Sequence, residues 1–446
     1  MILQHWRDAA GIRRRHQKSS RRVAIAPEID RKSSGSMGDP DLRFFAEACH
    51  RKIGLRFCVA GEAHQSKSSG ANRRTHDTAH LFGTEDQMKT WLTRCMFALL
   101  IAIGAPTGTA WANDDSDGDR NAAKQFATLP EGVRFPEGIT ANPATREIYV
   151  GTFDFGPNSN KLLRFAPNGH LLAQRDFGAT PLLGLAFAAG KVYIANFGAS
   201  KIQRIAAAFS AGMPVEDVAM LPSIGAPLPR DEGNPDGTAD TITFRSKGVP
   251  APNGLVFDKQ GNLYVSDSFQ GAIFRITDAI NCAKPCAAEP ITHDPLLATA
   301  GFPPFGANGL ALSSDQSTLF IANTGDDRVL KMTLPSGPIS VFAESINGAD
   351  GLAFDSRGRL WVAANQNDEV VALNEKGRVI ARLGEFEGIR HDGSPDGLLF
   401  PASIVIVGDD MFVTNLALPL TGMVGDEPEE DVTRWTVSRI KVPRRP

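Results

Sequence analysis

The chain has 446 residues, 42% of them hydrophobic, with 47 Lys and Arg set against 50 Asp and Glu for a formal net charge of −3. That length and apolar fraction suffice to bury a sizeable core. The charge is unevenly placed: residues 1–87 carry +6 and residues 88–112 carry +2, which leaves about −11 on residues 113–446. An acidic main body excludes nucleic acid and anionic membrane surfaces as partners and suits a chain that attracts cations.

In chain order, residues 1–87 hold 16 Lys and Arg against 10 Asp and Glu and show little apolar periodicity. They read as an over-extended, disordered start, with translation expected from Met88. A basic nucleic-acid-binding arm is the alternative, but no aromatic interleaving or folded motif supports it. Residues 88–112 read as a secretory signal peptide. Lys89 and Arg94 give a basic start, Met96 to Ile103 an apolar core, and Ala110-Trp111-Ala112 a small-x-small cleavage site. That core is too short for a membrane span, and Cys95 precedes it, against a lipoprotein. The expected location is periplasmic or secreted, with no membrane attachment after cleavage.

Residues 113–446 form the third unit, built from a repeat. Segments beginning at Gly254 and Gly351 read Gly-Leu-Val-Phe-Asp-Lys-Gln-Gly-Asn-Leu-Tyr-Val and Gly-Leu-Ala-Phe-Asp-Ser-Arg-Gly-Arg-Leu-Trp-Val. Each is an apolar strand, an Asp-x-x-Gly turn and a second strand opened by an aromatic residue, the pattern of a β-hairpin. Further strands follow, such as Ala272 to Ile276 and Arg328 to Met332. Related copies start near Gly138, Gly184, Gly309 and Ala402, with spacings of 46, 70, 55, 42 and roughly 51 residues. Periods near 40–50 with four strands each predict an all-β fold, a six-bladed β-propeller of four-stranded blades. The 70-residue spacing predicts an insertion over roughly Ala206 to Pro250.

Four of the six copies place an oxygen-bearing side chain immediately before the aligned glycine: Glu137, Asn253, Asn308 and Asp350. In a propeller, equivalent positions at the start of the inner strands converge on the central channel. Two carboxylates and two amide oxygens meeting there would hold a hard divalent cation, calcium (Ca2+) before others, since no His or Cys cluster competes. Asn and Asp before Gly also cap ordinary turns, but that accounts poorly for Glu137 and for recurrence in four units.

Other residues carry blander expectations. Asn196, Asp267, Asn323, Asn365 and Asn415 close second strands and read as turn hydrogen-bonding groups. Trp361, Phe257 and Phe354 read as blade packing. His170 and His293 read as surface residues, and His391 as a loop residue at the channel mouth. Of five cysteines only Cys282 and Cys286 fall after residue 112; they suit a small loop disulfide, with free structural thiols as the alternative. No Gly-x-Ser-x-Gly elbow supports serine chemistry.

The ordered set Glu, none, Asn, Asn, Asp, none over six blades resembles the senescence-marker-protein/gluconolactonase/luciferin-regenerating-enzyme group, which includes regucalcin. The similarity runs over roughly Leu129 to Val442. The resemblance implies hydrolysis of a small-molecule sugar lactone or related ester, with Glu137, Asn253, Asn308 and Asp350 as metal ligands. It also implies Asp350 as general base, or as nucleophile in phosphotriesterase-like relatives. The repeat texture is similar to NHL-type propellers as well, so a non-catalytic propeller with a structural calcium, binding a ligand or protein partner, is the rival expectation. A lyase on the same scaffold is a third.

Overall fold

The computed structural model describes residues 122–244 and 249–444; the expected leader and the segment before it lie outside the described residues. Six four-stranded antiparallel sheets make the six blades of a β-propeller. In blade 1 the strands run Pro136–Ala141, Ile148–Thr152, Asn160–Phe165 and Leu171–Gly178, from the channel outward. The inner strands of blades 2 to 6 are Leu182–Ala188, Pro252–Phe257, Ala307–Leu312, Ala349–Phe354 and Pro401–Val407. Blade 6 takes its outermost strand from the other end of the described chain: Lys124–Thr128 pairs with Thr436–Lys441. That pairing ties the first and last blades together and closes the ring.

The blade pattern follows from burial. Second strands such as Ile148–Thr152, Leu263–Asp267 and Leu360–Ala364 are buried at every position, because each is covered on both faces by neighbouring blades. The outer strand Leu171–Gly178 instead alternates between partly buried and exposed residues. Trp361 is fully buried and packs with Val370, Ile404, Met411 and Ile440 across the boundary of blades 5 and 6. Truncating such a side chain to Ala costs about 3–5 kcal/mol. Phe257 packs edge-on against Tyr193, and Phe354 against Phe320, as blade packing requires.

Hairpin chemistry matches the repeat. Asp355 accepts the backbone N–H groups of Arg357 and Arg359 at 2.8 and 3.1 Å, and Gly358 takes φ +78°. That left-handed conformation costs glycine nothing, which is why the turn reads Asp-x-x-Gly.

The 70-residue spacing is corrected in one respect. Part of the expected insertion is the outer strand of blade 2, Glu216–Met220. The excursion proper follows it and carries a hairpin, Arg230–Gly233 with Ala239–Ile242. A second small hairpin, Gly388–Ile389 with Pro395–Asp396, lies between blades 5 and 6. His391 sits at its exposed tip, and His170 and His293 are exposed too. Cys282 and Cys286 are joined in a disulfide, with Cα atoms 5.8 Å apart.

Candidate functional site: a polar ring at the channel axis

Every inner strand carries the same bulge. Pro136 pairs with Thr152 and Ile139 with Val150, so three steps on the inner strand face two on its neighbour. The same break recurs between Leu182 and Leu185, Pro252 and Leu255, Ala307 and Leu310, Ala349 and Leu352, and Pro401 and Ile404. A bulge leaves one residue unpaired and re-aims its side chain. The residues placed there are Glu137, Leu183, Asn253, Asn308, Asp350 and Ala402. Blades 2 and 6 share the backbone device but lack the polar group, as the repeat alignment anticipated.

The aligned glycine serves close packing. A Cβ on Gly254 would lie 2.4 Å from the Asn308 carbonyl oxygen, and one on Gly309 would lie 2.3 Å from that of Asp350. Gly138 and Gly184 approach the next blade's carbonyl in the same way, at 2.1 and 2.3 Å. In blades 1 to 5 the inner strand can therefore press on its neighbour only where a side chain is missing, whereas blade 6 has Ser403 at this place. A turn role for the Asx-Gly pairs is excluded, since these glycines lie within strands.

Glu137, Asn253, Asn308 and Asp350 are all buried, at 2–5% exposure, and all line one cavity. Their orientation comes from a second set of residues. The Asn253 amide donates to Ser268 Oγ at 3.0 Å, and the Asn308 amide donates to Thr324 Oγ1 at 2.9 Å. The two hydroxyls in turn donate to the backbone oxygens of Ala307 and Ala349, at 2.6 and 2.7 Å. In blade 5 the corresponding residue is Asn365, whose amide donates to Asp350 Oδ2 at 3.1 Å. Ser268, Thr324 and Asn365 each follow the end of a second strand by one residue.

The expectation for Asn365 is thus corrected. Ala364, paired with Ala349, is the residue equivalent to Asp267. Asn365 lies one place further on and turns into the cavity. Asn196, Asp267, Asn323 and Asn415 keep the expected structural role: Asp267 accepts from the N–H groups of Phe269 and Gln270, and Asn415 from that of Leu399. Asn196 accepts from the Ala199 N–H and Asn323 from that of Asp326.

Electrostatically the ring is incomplete on its own. Burial pushes the Asp350 carboxyl up from 3.8 to about 7, against the lowering effect of the Asn365 and Asn308 amides. Burial, and then the nearby Asp350 charge, raises Glu137 well above the ordinary carboxylate range. No basic side chain lines the cavity among the described residues. Glu137 Oε2, Asp350 Oδ1 and Asn365 Oδ1 are buried without a hydrogen-bond partner. Two buried carboxylates with orphaned oxygens need a proton or a cation. An all-oxygen set of two carboxylates and two amides fits a hard divalent cation.

Above this floor the cavity is lined by Phe153, Leu183, Pro303, Phe305, Phe400, Leu416, Leu418 and Leu420. Phe153 and Leu416 occupy, in blades 1 and 6, the position held by Ser268, Thr324 and Asn365 in blades 3 to 5.

A six-bladed propeller with a buried oxygen ring at its axis defines the class, and known proteins narrow it. The family described as SMP-30/Gluconolactonase/LRE-like region matches residues 303–384, which hold blades 4 and 5 with Asn308, Thr324, Asp350 and Asn365. Lactonase drp35 of Staphylococcus saprophyticus is 28% identical over 139 residues, 29% of this chain and 40% of that protein. Among solved structures, a luciferin-regenerating enzyme aligns with TM-score 0.51 and 14% identity, covering 72% of this chain and 95% of its own. Regucalcin of Agrobacterium tumefaciens, described as a calcium-binding protein, aligns with TM-score 0.47 and 15% identity over 73% and 97%. The resemblance read from the repeat holds, and over blades 4 and 5 the chain is similar to lactonase-like proteins.

Proposed function

We propose that this protein is a calcium-dependent hydrolase of a lactone or related ester. The observation that carries this reading is the convergence of two buried, uncompensated carboxylates and two pinned amides on the floor of one cavity. The family match over blades 4 and 5 and the similarity to a lactonase support the reaction class.

Glu137, Asn253, Asn308 and Asp350 would hold the cation. When bound, it would polarise the substrate carbonyl and steady the developing oxyanion. Asp350 is the general base: one of its oxygens takes a proton from water as the water oxygen bonds to the carbonyl carbon. The ring C–O bond then breaks, and the departing alkoxide recovers that proton to give the hydroxy acid. Asn365 is a positioning residue, fixing Asp350 Oδ2 by its amide and leaving Oδ1 without a protein partner. Ser268 and Thr324 lock the amide orientations of Asn253 and Asn308, so the carbonyl ends are the ends left for the cation.

Hydrolysis of a lactone and aryl-ester panel, after chelation and again after calcium is restored, tests the reading. Activity lost and regained supports it. Silence across the panel with calcium bound would favour the non-catalytic propeller.

We also infer export, on the leader-like pattern of residues 88–112 and the Cys282–Cys286 disulfide, which suits an oxidising compartment. N-terminal sequencing of the protein outside the cytoplasm should begin near Asn113; a start at Met1 would contradict this.

A further inference from the structure

We propose that the cavity accepts lactones or esters whose non-reacting part is hydrocarbon, aromatic or alkyl, in preference to polyhydroxylated sugar lactones. This deepens, and rests on, the hydrolase reading of the same site.

The polar side chains of the cavity, and those that hold them, are gathered at its floor. Ser268 Oγ accepts from Asn253 and donates to the Ala307 oxygen. Thr324 Oγ1 accepts from Asn308 and donates to the Ala349 oxygen. Asn365 gives an N–H to Asp350. The acceptors left open, Glu137 Oε2, Asp350 Oδ1 and Asn365 Oδ1, belong to the same floor, in or beside the ring that faces the reacting carbonyl.

Among the described residues the remainder of the wall offers no substitute. Phe153, Phe305, Phe400, Leu416, Leu418 and Leu420 present only carbon to the cavity. A buried hydroxyl surrounded by carbon forfeits its bonds to water and gains nothing in return. An aromatic ring or alkyl chain against the same wall is driven in by the area it removes from water.

The wall is also stiff. Phe153 meets Phe155, Phe197 and Phe305 edge-on, at centroid distances of 4.8, 5.7 and 6.1 Å. Such contacts hold a preformed apolar slot rather than a surface that re-forms around polar ligands. The selectivity is written into the blades themselves, because Phe153 and Leu416 stand where blades 3 to 5 carry Ser268, Thr324 and Asn365.

The test compares three δ-lactones of one ring size on the calcium-loaded, full-length chain: benzo-fused, alkyl-substituted, and the polyhydroxylated sugar form. The matching lactams, which resist hydrolysis, are titrated by calorimetry. The hydrocarbon lactones should lead the sugar lactone in kcat/KM by about 100-fold, and their lactams should bind more tightly in the same order. A sugar lactone turned over as well as the others would overturn the inference and leave the hydrolase reading standing. If no lactone is turned over, the hydrolase reading fails, and the lactam order decides the inference alone. Tighter hydrocarbon lactams would then uphold it; no preference, or no binding, would overturn it. Leu418→Asn, at a half-buried wall position, should narrow the gap about 10-fold without altering calcium affinity. An unchanged gap would count against the wall's role.

Discussion

Blades 3, 4 and 5 all differ from blades 1, 2 and 6 at the residue that follows the second strand, and that difference divides the cavity. All six inner strands bulge in the same register and turn one residue towards the axis. In blades 3 to 5 that residue is Asn253, Asn308 or Asp350, and the residue after the second strand holds it: Ser268, Thr324 or Asn365. In blades 1, 2 and 6 the latter position is Phe153, Phe197 or Leu416. Glu137 belongs to the second group and so has no polar neighbour of this kind; its Oε2 is left without a partner. The scaffold therefore supplies aim, and a second residue per blade decides whether the aimed group is pinned or left for a ligand to complete.

The largest way to break this division is at Asp350. Asp350→Asn keeps the shape and removes the base, so kcat should fall by about 10³-fold while the circular dichroism spectrum is unchanged. Wild-type turnover in that variant would end the catalytic assignment.

A second test uses pH in the chelated protein. Asp350 and Glu137 have raised values in the folded state, so between about pH 4 and 7 the fold retains protons that the unfolded chain has released. Stability present near pH 4 should therefore be lost as pH rises to about 7, by an amount of order a few kcal/mol. Saturating calcium should remove most of that slope. A melting temperature that climbs over this interval without metal would contradict the electrostatics described for the ring.

Next comes the packing on which both halves rely. Gly309→Ala sets a Cβ 2.3 Å from the Asp350 carbonyl oxygen and should cost about 3 kcal/mol in urea unfolding. Gly212→Ala, with nothing within 4 Å, serves as the control and should change little. Equal effects at the two sites would refute the close-approach account.

The smallest effect is at the supporting residues. Ser268→Ala or Thr324→Val frees one amide at a cost of about 1 kcal/mol, and calcium affinity should weaken several-fold by calorimetry. Affinity unchanged in both would show that the pinning is incidental.

Much of this was legible in the sequence because the axial residue and its glycine answer to local rules. The glycine is demanded by the neighbouring backbone, so it recurs at a fixed place and brings Glu137, Asn253, Asn308 and Asp350 into alignment. Ser268 and Thr324 escaped notice because small hydroxyl residues are common at strand ends and reveal a partner only in three dimensions. Asn365 was misplaced by one residue: blade 5 ends its second strand in Ala364, where blades 2, 4 and 6 have Asn, and an alignment by residue type slides past it. The hydrocarbon wall was not legible at all. It is drawn from irregular stretches around Pro303, Phe400 and Leu416 to Leu420, which obey no period. The closing strand Lys124–Thr128 was likewise hidden, since its partner Thr436–Lys441 lies some 300 residues away.

The most direct test of the central claim is calorimetric titration of calcium into the chelated, full-length protein, alongside Glu137→Gln and Asp350→Asn. One calcium per chain in the wild type, weakened by at least about 10-fold in each variant, is the predicted result. No binding, or binding that both variants leave untouched, would contradict the axial ring as a cation site.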